Sequence, residues 1–164
     1  MPHEFTLHRE SLKRKFAVYV VIAKSECDSK LYVGKTGDNN DGCNPLISRC
    51  GNHFSYNEIH SQVRNKLTDH ESRDYTYVFE HFDDYPKDKD ARRVCIDRIN
   101  EMERWLNSEI QTLVSLKPNI VLLNPHRGAG HVAAHERKKR ADFRTKECEQ
   151  QINALVAAVG ARCG

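Results

Sequence analysis

No stretch of this chain is long and apolar enough to read as a membrane span. Even Leu106 to Leu116 is interrupted by Asn107, Ser108, Glu109 and Gln111, which excludes a continuous bilayer-crossing helix there. The opening residues, MPHEFTLHRESLKRK, lack the apolar run of a secretory leader, so an intracellular protein with no membrane partner is expected. The 6 cysteines include no Cys-x-x-Cys pair; without an export signal they are expected to be reduced thiols rather than a disulfide framework. Cys43, Cys50 and His53 signal zinc only weakly, and burial or loop exposure explains them more simply. There is no internal repeat and no low-complexity block. Charge of one sign is not in excess either. With 26 Lys+Arg against 23 Asp+Glu the net charge is +3, which permits a nucleic-acid partner without demanding one, so local clusters matter more than the total.

What remains is one domain's worth of chain. Its 164 residues are 38% apolar and 30% charged, enough for a core and unlike a disordered segment. Phe16 to Ala23 is rich in β-branched residues and reads as a strand, and Lys30 to Lys35 reads as its hairpin partner across a polar turn. Each of these strands carries a tyrosine, Tyr19 and Tyr32. Gly37 to Pro45 reads as a loop, and a helix opens near Pro45 with Asn44 as candidate cap. Ile59, Val63 and Leu67 recur at four-residue spacing and predict an amphipathic helix over 57–68. Tyr75 to Phe82 reads as the third strand. A long helix follows from Lys89 to Lys117, striped by Cys95, Ile99, Met102, Leu106, Ile110 and Leu113 and stopped by Pro118. Ile120 to Leu123 is a short extended run. His126 to Gly130 is a loop, and 131–158 reads as a final helix, amphipathic toward its end.

The fold class expected is α+β: a small, three-stranded, mainly antiparallel sheet flanked by helices, with a C-terminal helical extension. The divisions are a basic lead-in over 1–15, a central domain over 16–125 and a basic extension over 126–164.

The order of polar groups along the central domain is specific. Ala17-Val18-Tyr19 is followed by Tyr32-Val33-Gly34, with Lys35 adjoining. Arg49 and His53 stand four apart, one helical turn. Glu109 precedes Pro118 by nine residues and Asn124 by fifteen. In this order the chain resembles the GIY-YIG endonuclease superfamily over roughly residues 16 to 125. The resemblance implies a divalent-metal-dependent nuclease in which Tyr19, Tyr32, Arg49, His53 and Glu109 are catalytic, Glu109 holds the metal, and Lys35 and Asn124 support them. Glu103 borders the same apolar stripe and is the second candidate for the metal ligand. Two departures stand out. Alanine replaces the glycine of the first motif, which is tolerable where no positive φ is needed. The stretch from Tyr32 to Arg49 is also longer than in the compact members.

The chemistry has reasons of its own. Phosphodiester hydrolysis needs an activated water, neutralised phosphoryl oxygens and a stabilised leaving group. One carboxylate suffices to anchor Mg²⁺ or Mn²⁺, which keep several waters. An arginine fork suits a non-bridging oxygen. A tyrosine is a poor base at its ordinary pKa of about 10, but nearby positive charge eases formation of the phenolate. By resemblance Tyr19 is the general base or orients the attacking water and Tyr32 shapes the pocket by hydrogen bonding, two roles that can be exchanged, while His53 shares the proton transfer or contacts phosphate.

The expected partner is DNA, double-stranded, with RNA left open. Lys13, Arg14 and Lys15 before the first strand, and Arg127, Arg137, Lys138, Lys139 and Arg140 in the extension, are the candidate contacts to its backbone. With one catalytic set per chain, cutting both strands needs two active sites or two sequential encounters, so a monomer suits nicking and a homodimer suits a double-strand break. The rival readings are a non-catalytic nucleic-acid-binding module on the same scaffold and a protein-interaction domain built on the long helix.

Overall fold

The computed structural model describes residues 1–37, 42–128 and 131–163. Its centre is a four-stranded sheet in the order β3-β1-β2-β4, formed by β1 (Lys15–Lys24), β2 (Ser29–Lys35), β3 (Asp74–Asp84) and β4 (Ile120–Leu122). β1 pairs antiparallel with both β2 and β3, while β4 pairs parallel with β2. The sheet is therefore mixed, and one strand larger than the sequence predicts. The short run after Pro118 is that extra strand, held by only three residue pairs, Ser29↔Ile120, Lys30↔Val121 and Leu31↔Leu122.

β1 is central, and its residues from Phe16 to Ala23 are all buried. A strand covered on both faces has no solvated side, so its sequence is a continuous apolar run rather than an alternation. Phe16, Val18, Val20 and Ile22 face one layer, where they pack with Leu31 and Val33 against α2 (Lys89–Ser115) and α4 (Lys146–Arg162). Tyr19, Val21 and Ala23 face the other, which holds Leu46, Val63 and Leu67 and is covered by α1 (Leu46–Phe54) and the segment that follows it.

The C-terminal extension is not a separate appendage. Cys148, Ile152, Leu155 and Val159 of α4 belong to the same buried cluster as α2 and the sheet, so its apolar stripe completes the core. The single final helix expected over 131–158 is two, α3 (Ala134–Asp142) and α4. The break falls where Thr145 caps a new helix by accepting a hydrogen bond from Cys148 N–H, a local preference stronger than continuing the first. α1 starts at Leu46 as expected, but Pro45 rather than Asn44 occupies the cap position, and the helix runs through Gly51 to Phe54.

The helix expected over 57–68 is absent. Asn57 begins one turn by accepting from the N–H groups of Ile59 and His60, and Ser61 N–H reaches Asn57 O. The turn then stops, because Ser61 is buried with its hydroxyl directed back to Ser55. Serine and asparagine side chains compete with the helix for backbone partners in this way. Only a short 3₁₀ turn at Arg64–Lys66 follows. Val63 and Leu67 enter the core, whereas Ile59 stays 74% exposed. The Gly37 to Pro45 loop lies partly beyond reach, since residues 38–41 are outside the described residues, as are 129–130 of the second expected loop.

Candidate active site

β1 and β2 bring Tyr19 opposite Gly34 in the antiparallel register, so the Tyr19 ring lies directly over the glycine. A Cβ at Gly34 would stand 2.5 Å from Tyr19 Cζ and 2.6 Å from its hydroxyl oxygen. No other residue type leaves room for the ring, which is the physical reason for glycine in Tyr32-Val33-Gly34. Among the described residues no non-glycine has positive φ. Alanine at position 17 is thus unstrained, and a side chain larger than hydrogen is accommodated there in full burial.

The Tyr19 hydroxyl is 2.6 Å from His53 Nε2, contributed by α1. The Tyr32 ring meets the His53 ring edge-on, with centroids 5.0 Å apart. These side chains line a cavity of about 210 Å³, together with Gly34, Lys35, Arg49, Asn52, Ile59, His60, Gln62 and Glu103. Four segments distant in sequence therefore converge: β1, β2, the stretch from α1 through Gln62, and α2. Tyr19, Tyr32, Lys35, Arg49 and His53 are all brought together as the sequence predicts.

Glu109 is not among the lining residues; Glu103 is. Six residues along a helix amount to about 9 Å of rise and about 120° of rotation, so the two carboxylates cannot serve one cavity. Glu103 lies on the layer opposite the tyrosines yet reaches their pocket. β4 pairs with β2 only as far as Leu31, and beyond it no strand among the described residues continues along that edge. Asn124 finishes that edge. Its side chain accepts from Val33 N–H at 3.0 Å and donates to Val33 O at 2.7 Å, imitating a strand partner. Asn107, buried in α2, donates to Asn124 O and accepts from His126 N–H, fixing α2 to this corner. Asn107 went unnoticed in the sequence because a lone asparagine inside an apolar stripe carries no motif.

Burial governs protonation. It drives the Tyr19 phenol well above its ordinary range, an effect Tyr32 adds to and Arg49 opposes. It pushes Tyr32 up to about 12, with Glu103 adding and Arg49 opposing. His53 is held down at about 4 by burial and by the Arg49 charge, so its ring is neutral at neutral pH. Its Nδ1 is buried without a hydrogen-bond partner. The Glu103 carboxyl is raised by burial, and Lys35, Arg104 and Arg49 counteract this. Its neighbour Glu101 is already committed, paired with Arg104 at 3.0 Å and Arg144 at 2.8 Å.

The donor set suits a hard divalent cation. Among the described residues no three His, Cys, Asp or Glu side chains gather at one point, but one carboxylate opening on a polar cavity is what Mg²⁺ or Mn²⁺ requires when water and phosphate complete the shell. Burial that disfavours the Glu103 carboxylate in isolation is offset when a cation lies beside it.

The basic clusters fare differently. Lys13 pairs with Glu10 at 2.8 Å and Lys15 with Asp84 at 2.9 Å. Arg14 donates to Cys43 O and lies over the Tyr85 ring. All three have work within the fold rather than forming an open cationic row. Lys139 pairs with Asp97, and Arg140 with Glu136. Arg127, Arg137 and Lys138 are exposed. No helix among the described residues is long and apolar enough to cross a membrane. The chain matches no family model, and comparisons with curated proteins and with solved structures return no match, so its functional assignment rests on the geometry of this cavity.

Proposed function

We propose that the chain is a divalent-metal-dependent endonuclease of the GIY-YIG type, acting on DNA, with Glu103 in place of Glu109 as the metal ligand. The observation that carries this reading is the convergence of Tyr19, Tyr32, Lys35, Arg49, His53 and Glu103 on one cavity. Two phenols, one arginine, one neutral histidine and one carboxylate meet the needs of phosphodiester hydrolysis without a further residue. Glu103 would hold the cation, which when bound would supply charge neutralisation for the phosphoryl group.

The residues divide the remaining tasks. Arg49 offers a planar fork to a non-bridging phosphate oxygen. Tyr19 orients the attacking water, and its 2.6 Å hydrogen bond to His53 provides a path for the proton. His53 is neutral, so its ring can take part in that hydrogen bond without adding charge to the cavity. The high Tyr19 pKa is an argument against a standing phenolate, and with His53 held low the proton stays on the phenol until a cation lowers it. Tyr32 forms the wall that keeps the His53 ring in place.

Supercoiled plasmid incubated with Mg²⁺, with Mn²⁺ or with chelator tests the proposal. Nicked or linear product is expected only with metal. Glu103→Ala and Tyr19→Phe are expected to abolish it, while Glu109→Ala retains it. Salt-sensitive binding with no metal-dependent turnover would instead establish the non-catalytic binding module, and turnover lost in Glu109→Ala but kept in Glu103→Ala would reverse the ligand assignment.

A further inference from the structure

The segment joining α1 to Val63 forms the rim of the cavity and holds two large apolar side chains out in solvent. Tyr56 is 82% exposed and Ile59 is 74% exposed. Ile59 lines the catalytic cavity directly, next to His60 and Gln62.

This exposure is enforced, not a consequence of slack. Asn57 Oδ1 accepts from Ile59 N–H at 2.8 Å and from His60 N–H at 3.0 Å. Gln62 donates to Ile59 O at 2.7 Å, Asn65 to Glu58 O at 2.7 Å, and Arg64 Nε to Ser55 O at 2.8 Å. The Arg64 guanidinium lies over the Tyr56 ring at 4.7 Å. Val63, immediately beyond, is fully buried and anchors the segment. An apolar side chain fixed in water gains nothing for the fold. A rigid apolar projection at the mouth of a cavity lined by Arg49 and Lys35 is suited to a ligand that joins anionic phosphates to flat apolar faces. Nucleic acid is such a ligand: bases stack on aromatic rings and arginine planes, and aliphatic side chains wedge between base steps.

We propose that Ile59 and Tyr56 form a wedge that enters the base stack beside the phosphate to be cut, so that the protein favours DNA with a locally unstacked step over uniform duplex. This inference rests on the nucleic-acid reading above and deepens it by naming the substrate's state. A wedge costs unstacking in paired DNA but little where the bases are already mismatched.

The test is fluorescence anisotropy in chelator, with a fully paired duplex and the same duplex carrying a central tandem mismatch. Wild-type protein is expected to prefer the mismatched duplex by about tenfold. Ile59→Ala and Tyr56→Ala, both at exposed positions, are expected to reduce that preference to within about twofold while leaving the melting temperature of the protein unchanged. Absence of the preference in wild type, or its survival in both variants, overturns the wedge. The two readings fail separately: the preference without plasmid cleavage keeps the wedge and removes the nuclease, whereas cleavage without the preference removes the wedge alone.

Discussion

Acidification should unfold this protein through one histidine more than through any other single group in the cavity. His53 is 5% exposed and its ring is held near a pKa of about 4, by burial first and the Arg49 charge second. In the unfolded chain it returns to about 6.5. Between these values the unfolded state binds the proton and the folded state does not, so stability falls as pH falls through that window and levels off below it. The full shift corresponds to about 3 kcal/mol, of which about 2.5 kcal/mol is lost by about pH 4.5. For a chain of this size that is about 5–10 °C in Tm. His81 is also lowered by burial and titrates in the same direction, so the wild-type curve alone is not diagnostic. The quantity to measure is the difference between wild type and His53→Gln in urea unfolding, followed from about pH 7 to about pH 4.5 in chelator. The variant is expected to begin less stable, having lost a ring that packs on Tyr32, and to have the flatter pH profile by about 2.5 kcal/mol. Parallel profiles would refute the argument, and with it the claim that His53 is neutral in the fold.

Two further substitutions test the geometry directly. Gly34→Ala places a methyl group 2.5–2.8 Å from three atoms of the buried Tyr19 ring; a cost of about 1–3 kcal/mol in urea unfolding is expected, together with loss of plasmid cleavage as Tyr19 moves off His53. Unchanged stability would mean that the ring has room it is not seen to have. Asn124→Ala removes both hydrogen bonds to Val33 and should cost about 1–3 kcal/mol because the Val33 backbone groups lose their partner, again read by urea unfolding; a change under about 0.5 kcal/mol would show that water replaces the side chain at no cost.

The elements most legible in the sequence were those whose pattern is set by local geometry. The β1–β2 hairpin, β3 and the long α2 lie where periodicity places them, because each has a continuous or cleanly spaced apolar set. Tyr19, Tyr32, Lys35, Arg49 and His53 meet at one cavity because they lie on those elements or on α1 at helical spacing. What was not legible depended on tertiary structure. β4 is three residues long and gains its strand character only from β2. The four-residue spacing of Ile59, Val63 and Leu67 imitates a helix although its members serve opposite ends, core and solvent. Which of Glu103 and Glu109 lines the cavity depends on how α2 packs on the sheet, and helical periodicity alone does not carry that information. The pairing of Lys139 and Arg144 with acids on α2 was not legible either, because those acids lie far away in sequence.

The site's electrostatics have a single theme. Burial drives Tyr19, Tyr32 and Glu103 toward their protonated forms and His53 toward its deprotonated one, and all four of those forms are uncharged. Arg49 and Lys35 stand among them as cations. The cavity therefore carries cationic side chains, of which Lys35 also donates to Gly37 O at 2.9 Å. It is matched to an anion, and a phosphodiester brings one. On the nuclease reading, added positive charge at Glu103 would lower the carboxyl and both phenols together, because each is raised chiefly by desolvation and each responds to a neighbouring cation in the same direction. On the same reading the two tyrosines, far from their useful pKa, are the groups whose state would change most when a cation arrives. The 2.6 Å contact between Tyr19 and His53 would then keep the phenol oriented while its state changes. On the nuclease reading, burial would hold the phenols protonated until a cation is present.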